Sequence, residues 1–530
     1  MKSKLPMFRD RVPEWLRFPL LLVLPFVYQC SNPLYMNIAS DIISDTALRS
    51  DDVMMCGFAC ILGITVTFPI LFRLKFRFTT RQIIIISSAS IILISLLAER
   101  LCMLPSLPIR LYLLVALCFL FGIFKVWGTF ECMSSMMAVI SPNMHLAPFL
   151  TVVFLAVFGG VELGGLGSTY ISHFYTWHYV TYALVALHLV VIAFALLALK
   201  DFRFQPPVPL KGIDWTGMAL WSLFLTALTA LFVYGERQEW FHSPTMVICA
   251  AVSLIALGIN IHRMNRIAQP FIAPQCFGIN SRKSSAGSPH LWPIMVLFFV
   301  SGVMLSSQTV LQNTLTGAVL HYGAVSSVNL NWAILAGVVL GCLMGRWGLT
   351  GLGWNYKQLT GLSLLITTMY AAAMYFLVTP STPLQALVVP CFFSGVGHAL
   401  IFVVLTTYVE SNTPFEHRFM MLTVLGLVRT GVASPIGAAL YGHLLRAEMV
   451  KNMALLGSAN PAASAPAVVE QALMVGLRNL FGLTVLIGVV TLLILLLSRF
   501  NSKQYITLPT MRKIYNTLTS RAPLSNGVGT

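Results

Sequence analysis

The chain has 530 residues, of which 57% are hydrophobic and only 9% are charged, and its mean hydropathy is +0.82. Soluble globular proteins carry about 25% charged residues, so this composition excludes that class and indicates a polytopic membrane protein. The net charge of +16 is also compatible with nucleic-acid binding. However, the basic residues lie in short loops, as the positive-inside rule describes, so we expect no nucleic-acid partner.

Apolar runs of roughly 20 residues, the length that crosses a bilayer as a helix, recur along the whole chain. About fourteen such runs predict an all-α membrane bundle, since the alternating pattern of a membrane β-barrel is absent. The first run follows the N-terminus directly, so we expect it to be retained rather than cleaved. The runs fall near residues 16–36, 53–72, 80–98, 111–140, 148–172, 178–199, 215–234, 244–262, 291–313, 329–346, 358–378, 383–408, 419–443 and 475–498.

The basic residues also predict the orientation of the bundle. With the N-terminus inside, most of the 33 Lys and Arg residues fall on inner segments. An even number of helices then places both termini in the cytoplasm. Longer connections are expected at 201–214, 268–290 and 445–476, the last on the outer side, and a basic cytoplasmic tail follows from 501 to 530.

The stretch GGVELGGLGS, residues 159–168, combines a packing pattern with an acid. Ala156, Gly160, Gly164 and Ser168 recur every four residues and predict a face on which another helix approaches closely. Glu162 lies roughly 200° around the helix from Gly160, so it does not face that neighbour. A carboxyl group inside a membrane helix can bind and release a proton, as a proton-coupled transporter requires, or it can be a structural hydrogen-bonding group.

Two further charges, Lys125 and Glu131, lie in the fourth apolar run. They are about 240° apart around the helix and therefore need partners elsewhere. Lys125 could pair with Glu162 on the next helix, which would leave Glu131 as a second proton or substrate site. Ser135, one turn after Glu131, gives it a polar neighbour. The sequence does not choose among these pairings.

The remaining candidates are polar side chains in later helices. Gln308 and Gln312 lie one turn apart and either line a cavity or bond neighbouring helices. His398 either titrates or is a satisfied buried histidine. Arg429 is an intramembrane cation that needs a carboxylate, a backbone carbonyl or an anionic substrate.

Enzymatic chemistry has no support in the sequence. The patterns GxxxxGK[ST], HExxH and GxSxG do not occur, and no segment is suited to a soluble catalytic domain. The ten cysteines are scattered through apolar runs without metal-ligand spacing. We therefore expect no enzyme, no metal and no cofactor.

Four stretches resemble the major facilitator superfamily, in particular the fourteen-helix drug:proton antiporters of the EmrB/QacA type. GIDWTGMALW (212–221) is similar to the family's opening of helix seven, and YGERQEWFHSP (234–244) to its next loop. GGVELGGLGSTYISHFYTWHYVTY (159–182) occupies the place of the antiporter motif, and VRTGVASPIGAALYGHLL (428–445) resembles the penultimate helix.

The resemblance implies a specific organisation. Two six-helix bundles, 1–200 and 291–500, would flank a linker with two inserted helices at 201–290. Alternating access around a midplane cavity, driven by inward proton flow, would export small molecules. The resemblance also implies a bacterial inner membrane and, in Gram-negative members, a periplasmic adaptor and an outer-membrane channel. The outer loop 445–476 is the expected adaptor contact.

Several family positions differ in this chain. FRLKFRFTTRQ (72–82) keeps the family's basic residues but lacks its Gly and Asp. Cys118 stands where the family has an arginine, for which Lys125 could substitute. The antiporter motif lacks its proline, and helix one offers Gln29 and Asn32 in place of an acid.

The leading hypothesis is therefore a proton-coupled exporter of amphipathic small molecules, with Glu162 and Glu131 as proton sites. Lys125 and Arg429 would serve as charge partners or anion contacts. The intramembrane cations favour neutral or anionic amphiphiles over cationic dyes. The alternatives are a transporter for metabolite uptake or exchange, and a non-transporting membrane scaffold or sensor.

Overall fold

A computed structural model describes residues 5–104, 109–143, 145–267, 269–277, 292–413, 417–459 and 465–498, together with Arg512, Tyr515, Asn516 and Thr519. Most of the predicted connection 268–290, the centre of the predicted connection 445–476 and most of the tail 501–530 lie outside the described residues. Within that part, the predicted all-α fold is confirmed. An isolated antiparallel bridge joins Phe8 to Leu199.

Eighteen α-helices and three π-helical segments make up the described bundle. The π-helical segments, which the sequence did not predict, are Gln308–Gln312, Leu315–Val319 and Leu427–Ala433. The α-helices are α1 Glu14–Cys30, α2 Ala39–Asp45, α3 Ser50–Thr67, α4 Leu71–Arg77, α5 Thr80–Cys102, α6 Arg110–Ile140, α7 Leu146–Phe174, α8 Trp177–Ala198, α9 Trp215–Tyr234, α10 Pro244–Arg266, α11 Trp292–Ser307, α12 Ala324–Val328, α13 Leu330–Thr350, α14 Tyr356–Leu377, α15 Leu384–Asn412, α16 Arg418–Gly426, α17 Ser434–Ala459 and α18 Ala465–Leu497.

Thirteen helices in the described residues are long and apolar enough to cross a membrane, which makes this a multi-pass membrane protein. The remaining predicted span, 16–36, corresponds to α1, which has only 17 residues. It ends at Cys30 because Pro33 follows closely, and the residue before a proline disfavours helical geometry.

The predicted outer connection 445–476 differs in the structure, because much of it is helical. Residues 445–459 continue α17, and residues 465–476 form the first turns of α18. Alanine, leucine, methionine, lysine and glutamate dominate residues 445–459, and these residues have high helix propensity. Only residues 460–464 separate the two helices in the chain.

The helices pack mainly with other helices of the same half. In the N-terminal half α6 contacts α1, α3 and α5, while α8 packs on α5. In the C-terminal half α15 packs between α13 and α14, and α18 between α14 and α17. Helices α9 and α10 form a pair that contacts α3 through α9. The chief contact between the two halves is made by α7, which packs against both α13 and α15.

Asp214 shows why the GIDWTGMALW stretch folds as it does. Its Oδ1 atom accepts hydrogen bonds from the Gly217 N–H and from the Arg263 guanidinium, each at 2.8 Å. The first bond caps α9, and the second joins the start of α9 to the end of α10. Any side chain at Gly217 would collide with the Asp214 carboxylate, so glycine is required there.

The two ends of the bundle have separate sets of contacts. We call the end where α1 begins and α18 ends the terminus face, and the opposite end the far face. At the terminus face Lys357 donates hydrogen bonds to the backbone oxygens of Leu496 and Ser498, at 2.7 and 2.9 Å. At the far face Arg237 lies 3.3 Å from the Asp51 carboxylate, which links α3 to the inserted pair.

Candidate functional site

The small-residue face of α7 packs directly against α1. A Cβ atom at Gly160 would overlap the side chain of Gln29, and one at Gly164 would overlap the carbonyl of Cys30. Ala156 and Ser168, on the same face, are buried. Gly160 and Gly164 therefore lie at a close helix contact within the N-terminal half, and the partner helix is α1.

Other faces of α7 lie against the C-terminal half. Gly159 approaches the side chain of Leu335, and Gly165 approaches Asn331, both on α13. Glu162, between these two glycines, is enclosed by protein yet keeps part of its side chain accessible. Glu162 thus faces the C-terminal half across the interface, on a different side from α1.

Glu162 has no hydrogen bond or ion pair with any residue in the described part of the chain. An isolated ionised carboxylate away from bulk water is costly, whereas its protonated form is not. A carboxyl group in this position can therefore exchange a proton as its surroundings change. That property is what proton coupling requires of a side chain.

An aromatic cluster lies one turn of α7 away from Glu162. Phe154 and Phe158 contribute their rings from α7, and Phe402 from α15 packs against them with ring centroids 4.6 and 5.3 Å away. Phe298 of α11 adds a third contact to Phe402, at 5.6 Å. Edge-to-face arrangements dominate, as favoured for aromatic pairs. The cluster joins the two halves and places apolar rings near the carboxyl group.

Arg429 reaches this cluster from the π-helical segment Leu427–Ala433. The guanidinium carbon lies 4.4 Å from the ring centroid of Phe402 and 5.7 Å from that of Phe158. The residue is 2% exposed, and its Nε atom has no hydrogen-bond partner. Within the described residues no carboxylate pairs with it. Among the described residues, the guanidinium makes cation–π contacts with these two rings and no hydrogen bond.

The other candidates of the C-terminal half differ in how well they are bonded. Gln312 accepts a hydrogen bond from the Tyr370 hydroxyl at 2.9 Å, and Gln308 accepts one from Ser394 at 2.6 Å. Both glutamines therefore bond neighbouring helices, one of the two roles expected for them. His398 is buried one turn before Phe402, and its Nε2 atom has no partner.

Lys125 does not pair with Glu162, in contrast to the pairing considered from sequence. Its ammonium group donates hydrogen bonds to the Ser31 carbonyl at 2.9 Å and to Asn32 Oδ1 at 3.0 Å. Carbonyl groups at a helix C-terminus carry partial negative charge and lack partners within the helix. The end of α1 therefore satisfies Lys125, while Glu162 lies on a different side of α7.

Glu131 likewise has a partner that the sequence did not identify. Its Oε1 atom lies 2.8 Å from the Lys75 ammonium and accepts further bonds from Thr80 at 2.7 Å and Ser135 at 3.0 Å. Lys75 belongs to α4, within the basic stretch 72–82. Glu131 thus lies near the terminus face in a buried ion pair, and its surroundings do not favour the predicted proton role. In the sequence, the phenylalanines on both sides of Lys75 indicate that this lysine could be buried.

Two buried polar groups were missed by sequence reasoning. Glu99, near the end of α5, accepts from His178 at 2.8 Å and from Tyr182 at 3.2 Å. His188 on α8 bonds Ser31 through its Nε2 atom at 2.9 Å. Both lie within the N-terminal half rather than beside Glu162. A histidine inside an apolar run, as in LVALHLVV, was the only indication of the second group.

The halves also touch at both ends of the interface. At the far face Tyr170 of α7 donates a hydrogen bond to Asn329, and Trp332 of α13 donates to the Tyr170 hydroxyl at 3.3 Å. Toward the terminus face, Gly426 of α16 lies against Thr65 of α3. Glu162 and Arg429 are therefore positioned between two zones of contact, at mid-depth of the bundle. No cluster of metal-ligating side chains occurs among the described residues.

Comparisons with known proteins agree with this architecture. No family model matches the chain. A curated protein of Escherichia coli (strain K12), named "Probable multidrug resistance protein EmrY", is 25% identical over 260 residues, which cover 47% of this chain and 46% of that protein. The chain thus matches about half the length of this curated relative.

Several solved structures align with far more of this chain than the curated protein does. An auto-inhibited peptide transporter of the POT family aligns with a TM-score of 0.54 and 13% identity, over 94% of this chain and 100% of that one. The peptide transporter PepTSo2 aligns with a TM-score of 0.55 and 13% identity, over 91% of this chain and 97% of that one. The nucleoside transporter NupG aligns with a TM-score of 0.51 and 13% identity, over 91% of this chain and 99% of that one. The fold is that of the major facilitator transporters, so the predicted fold class is confirmed.

Proposed function

We propose that this protein is a proton-coupled secondary transporter that exports amphipathic small molecules by alternating access. The observation that carries the proposal is Glu162, an acid without a partner among the described residues, on the helix that joins the two halves. When the halves move relative to each other, the surroundings of this carboxyl group change. Its affinity for a proton then changes with conformation, which is the basis of coupling.

Two further observations support export of amphiphiles. The aromatic cluster of Phe154, Phe158 and Phe402 gives the interface an apolar lining, as small-molecule sites generally have. The similarity to EmrY favours efflux over uptake. By the same resemblance we propose a bacterial inner membrane with both termini cytoplasmic, and an adaptor and outer-membrane channel as partners. We also propose that the two six-helix bundles comprise residues 1–200 and 291–500, and that residues 201–290 form the linker with the two inserted helices.

Uptake or exchange of a metabolite is the second candidate function, because the structural neighbours include peptide and nucleoside transporters. A scaffold without transport activity is less well supported, since Glu162 and Arg429 are costly groups inside a membrane protein. The direction in which substrate moves under an imposed pH gradient distinguishes export from uptake. A non-transporting scaffold would show no substrate flux in either direction.

The test uses inverted membrane vesicles with an acidic interior, to which anionic, neutral and cationic amphiphiles are added separately. We expect one class to collapse the gradient in wild type and not in Glu162→Gln. Glu470→Gln, a substitution of a partly exposed acid near the start of α18, is the matched control and should behave as wild type. Collapse that persists in Glu162→Gln would refute the proton role of Glu162. Absence of collapse with every class would refute antiport.

A further inference from the structure

The side chains at the interface between the halves differ in whether they can lose their charge. Glu162 becomes neutral when it binds a proton, and His398 becomes neutral when it releases one. The guanidinium of Arg429 remains protonated under all conditions found in proteins. Of these three groups, only Arg429 is therefore a fixed charge that the site must always accommodate.

The surroundings of Arg429 do not neutralise this charge. Two aromatic rings cover the guanidinium, at 4.4 Å from Phe402 and 5.7 Å from Phe158. Its Nε atom and the nearby Nε2 atom of His398 both lack hydrogen-bond partners. Other buried cations of this chain are bonded: Lys75 pairs with Glu131 at 2.8 Å, and Lys125 bonds two oxygen atoms. Arg429 differs from both, because no oxygen atom in the described residues accepts from it.

The backbone around Arg429 holds the side chain at this place. It belongs to the π-helical segment Leu427–Ala433, and such segments occur frequently at functional sites. Gly302 of α11 packs against the Arg429 carbonyl so closely that a Cβ atom there would lie 2.7 Å from it. A side chain at position 302 would displace the segment, and the guanidinium would move with it.

We propose that Arg429 binds the anionic head of an amphipathic substrate of the carboxylate class. A carboxylate matches the planar guanidinium and can accept two hydrogen bonds from it. The rings of Phe158 and Phe402 contact the apolar body of the same molecule, and His398 supplies a second polar contact to the head. Glu162, one turn from Phe158, remains available for the proton. This inference rests on the proposed transport function and specifies the substrate of that site.

A cationic amphiphile fits the site less well. The fixed charge of Arg429 repels a cation, and Glu162 offsets that repulsion only while it is ionised. Protonation of Glu162 would leave a cationic substrate beside an uncompensated guanidinium. An anion, in contrast, is attracted to Arg429 whether or not Glu162 carries a proton. The site is therefore selective for anions in both protonation states.

The experiment measures equilibrium binding to purified protein in nanodiscs, without any pH gradient. The probes carry three heads, a carboxylate, a primary amide and an amine, on each of two bodies, a lauryl chain and a cholane steroid. Wild-type protein should bind the carboxylate about tenfold to hundredfold more tightly than the amide on at least one body, the range expected for charged hydrogen bonds. Equal binding of the three heads, preference for the amine, or no carboxylate binding on either body would overturn the proposal.

Variants then assign the preference to one residue. Arg429→Gln should lower carboxylate affinity by about tenfold or more and leave amide affinity unchanged, while Arg429→Lys should retain part of the preference. Arg478→Gln is the matched control, because Arg478 also lies over an aromatic ring, 4.7 Å from Tyr375, but is exposed at the far face. Unchanged carboxylate binding in Arg429→Gln would overturn the inference. The preference within wild type needs no variant, so a folding defect cannot obscure the test.

The outcome is separable from that of the proposed function. Carboxylate binding that depends on Arg429, together with no gradient collapse by any amphiphile, would support this site and refute antiport. Collapse by cationic amphiphiles that is unaffected by Arg429→Gln would support antiport and refute this substrate class. Binding and collapse by carboxylates, both lost in Arg429→Gln, would support the two proposals together.

Discussion

Variants of the buried ion pair between Lys75 and Glu131 would test how much this pair contributes to the stability of the bundle. The side chains are 2% and 1% exposed, and their charged atoms lie 2.8 Å apart. Removing one partner of such a pair leaves an uncompensated buried charge, which typically costs about 3–5 kcal/mol. Removing both costs less, because no charge then remains buried. We therefore expect Lys75→Met to destabilise the protein strongly, and Glu131→Leu in the same chain to recover part of the loss.

The assay is denaturant-induced unfolding in mixed micelles, followed by tryptophan fluorescence, for both single variants and the double variant. We expect an interaction energy of about 1–3 kcal/mol from the double-mutant cycle. The pair Arg81–Asp201 is the control, since its charged atoms are 3.4 Å apart and its side chains are 24% and 57% exposed. Exposed pairs contribute about 0–1 kcal/mol. Equal interaction energies for the two pairs would refute the reasoning from burial.

Three further predictions concern helix contacts and the far face. Gly164→Leu should destabilise the protein by about 1–3 kcal/mol or more, because α1 leaves no space there, and thermal unfolding measures the loss. Lys125→Met should cost about 1.5–3 kcal/mol in the same assay, since the end of α1 loses its charged donor. Burial raises the pKa of Glu236, but hydrogen bonds from His443 at 2.7 Å and from Trp240 outweigh it, so that pKa lies below its usual 4.5. The Glu236 carboxylate therefore stabilises the protein above about pH 4.5, and this contribution is lost as the pH falls through the lowered pKa. Glu236→Gln should therefore flatten the acidic side of the plot of melting temperature against pH.

Matched controls separate these effects from general damage to the fold. Gly167→Leu changes the same helix at a position with open space around it, and it should be nearly neutral. Lys357→Met removes a lysine that also donates to two backbone oxygens but is partly exposed, and it should cost less than Lys125→Met. His443→Gln should reduce the pH dependence that Glu236 confers. A Gly167 variant as unstable as the Gly164 variant, or an unchanged acid limb in Glu236→Gln, would contradict the corresponding argument.

The helical fold was predictable from sequence because it depends on local properties. Charge is scarce, and apolar runs of spanning length repeat, so each helix can be recognised by itself. The predicted helix boundaries were wrong at two places where a local sequence rule was not applied. Pro33 ends α1 early, and the helix formers in residues 445–459 extend α17. The π-helical segments leave no comparable pattern in the sequence.

The partners of buried charges could not be predicted, because they depend on contacts distant in sequence. Glu131 bonds Lys75, which lies 56 residues earlier, and Lys125 bonds the backbone of a residue 94 positions away. Neither relation follows from helical periodicity. Gly160 and Gly164 of α7, in contrast, do lie against a neighbouring helix, because the spacing of small residues along a single helix fixes their relative directions.

The contrast between bonded and unbonded charges is the strongest argument for a transport site in the interface. Lys75, Glu131 and Lys125 lie within the N-terminal half, where they bond groups of the same half and would move with it as one body. Glu162 and Arg429 lie on opposite sides of the interface and have no such partners among the described residues. A motion that separates the halves leaves the first set intact and alters the surroundings of the second. If Glu162 binds a proton and Arg429 an anion, as we propose, each binding event biases this motion, which is the basis of coupled transport.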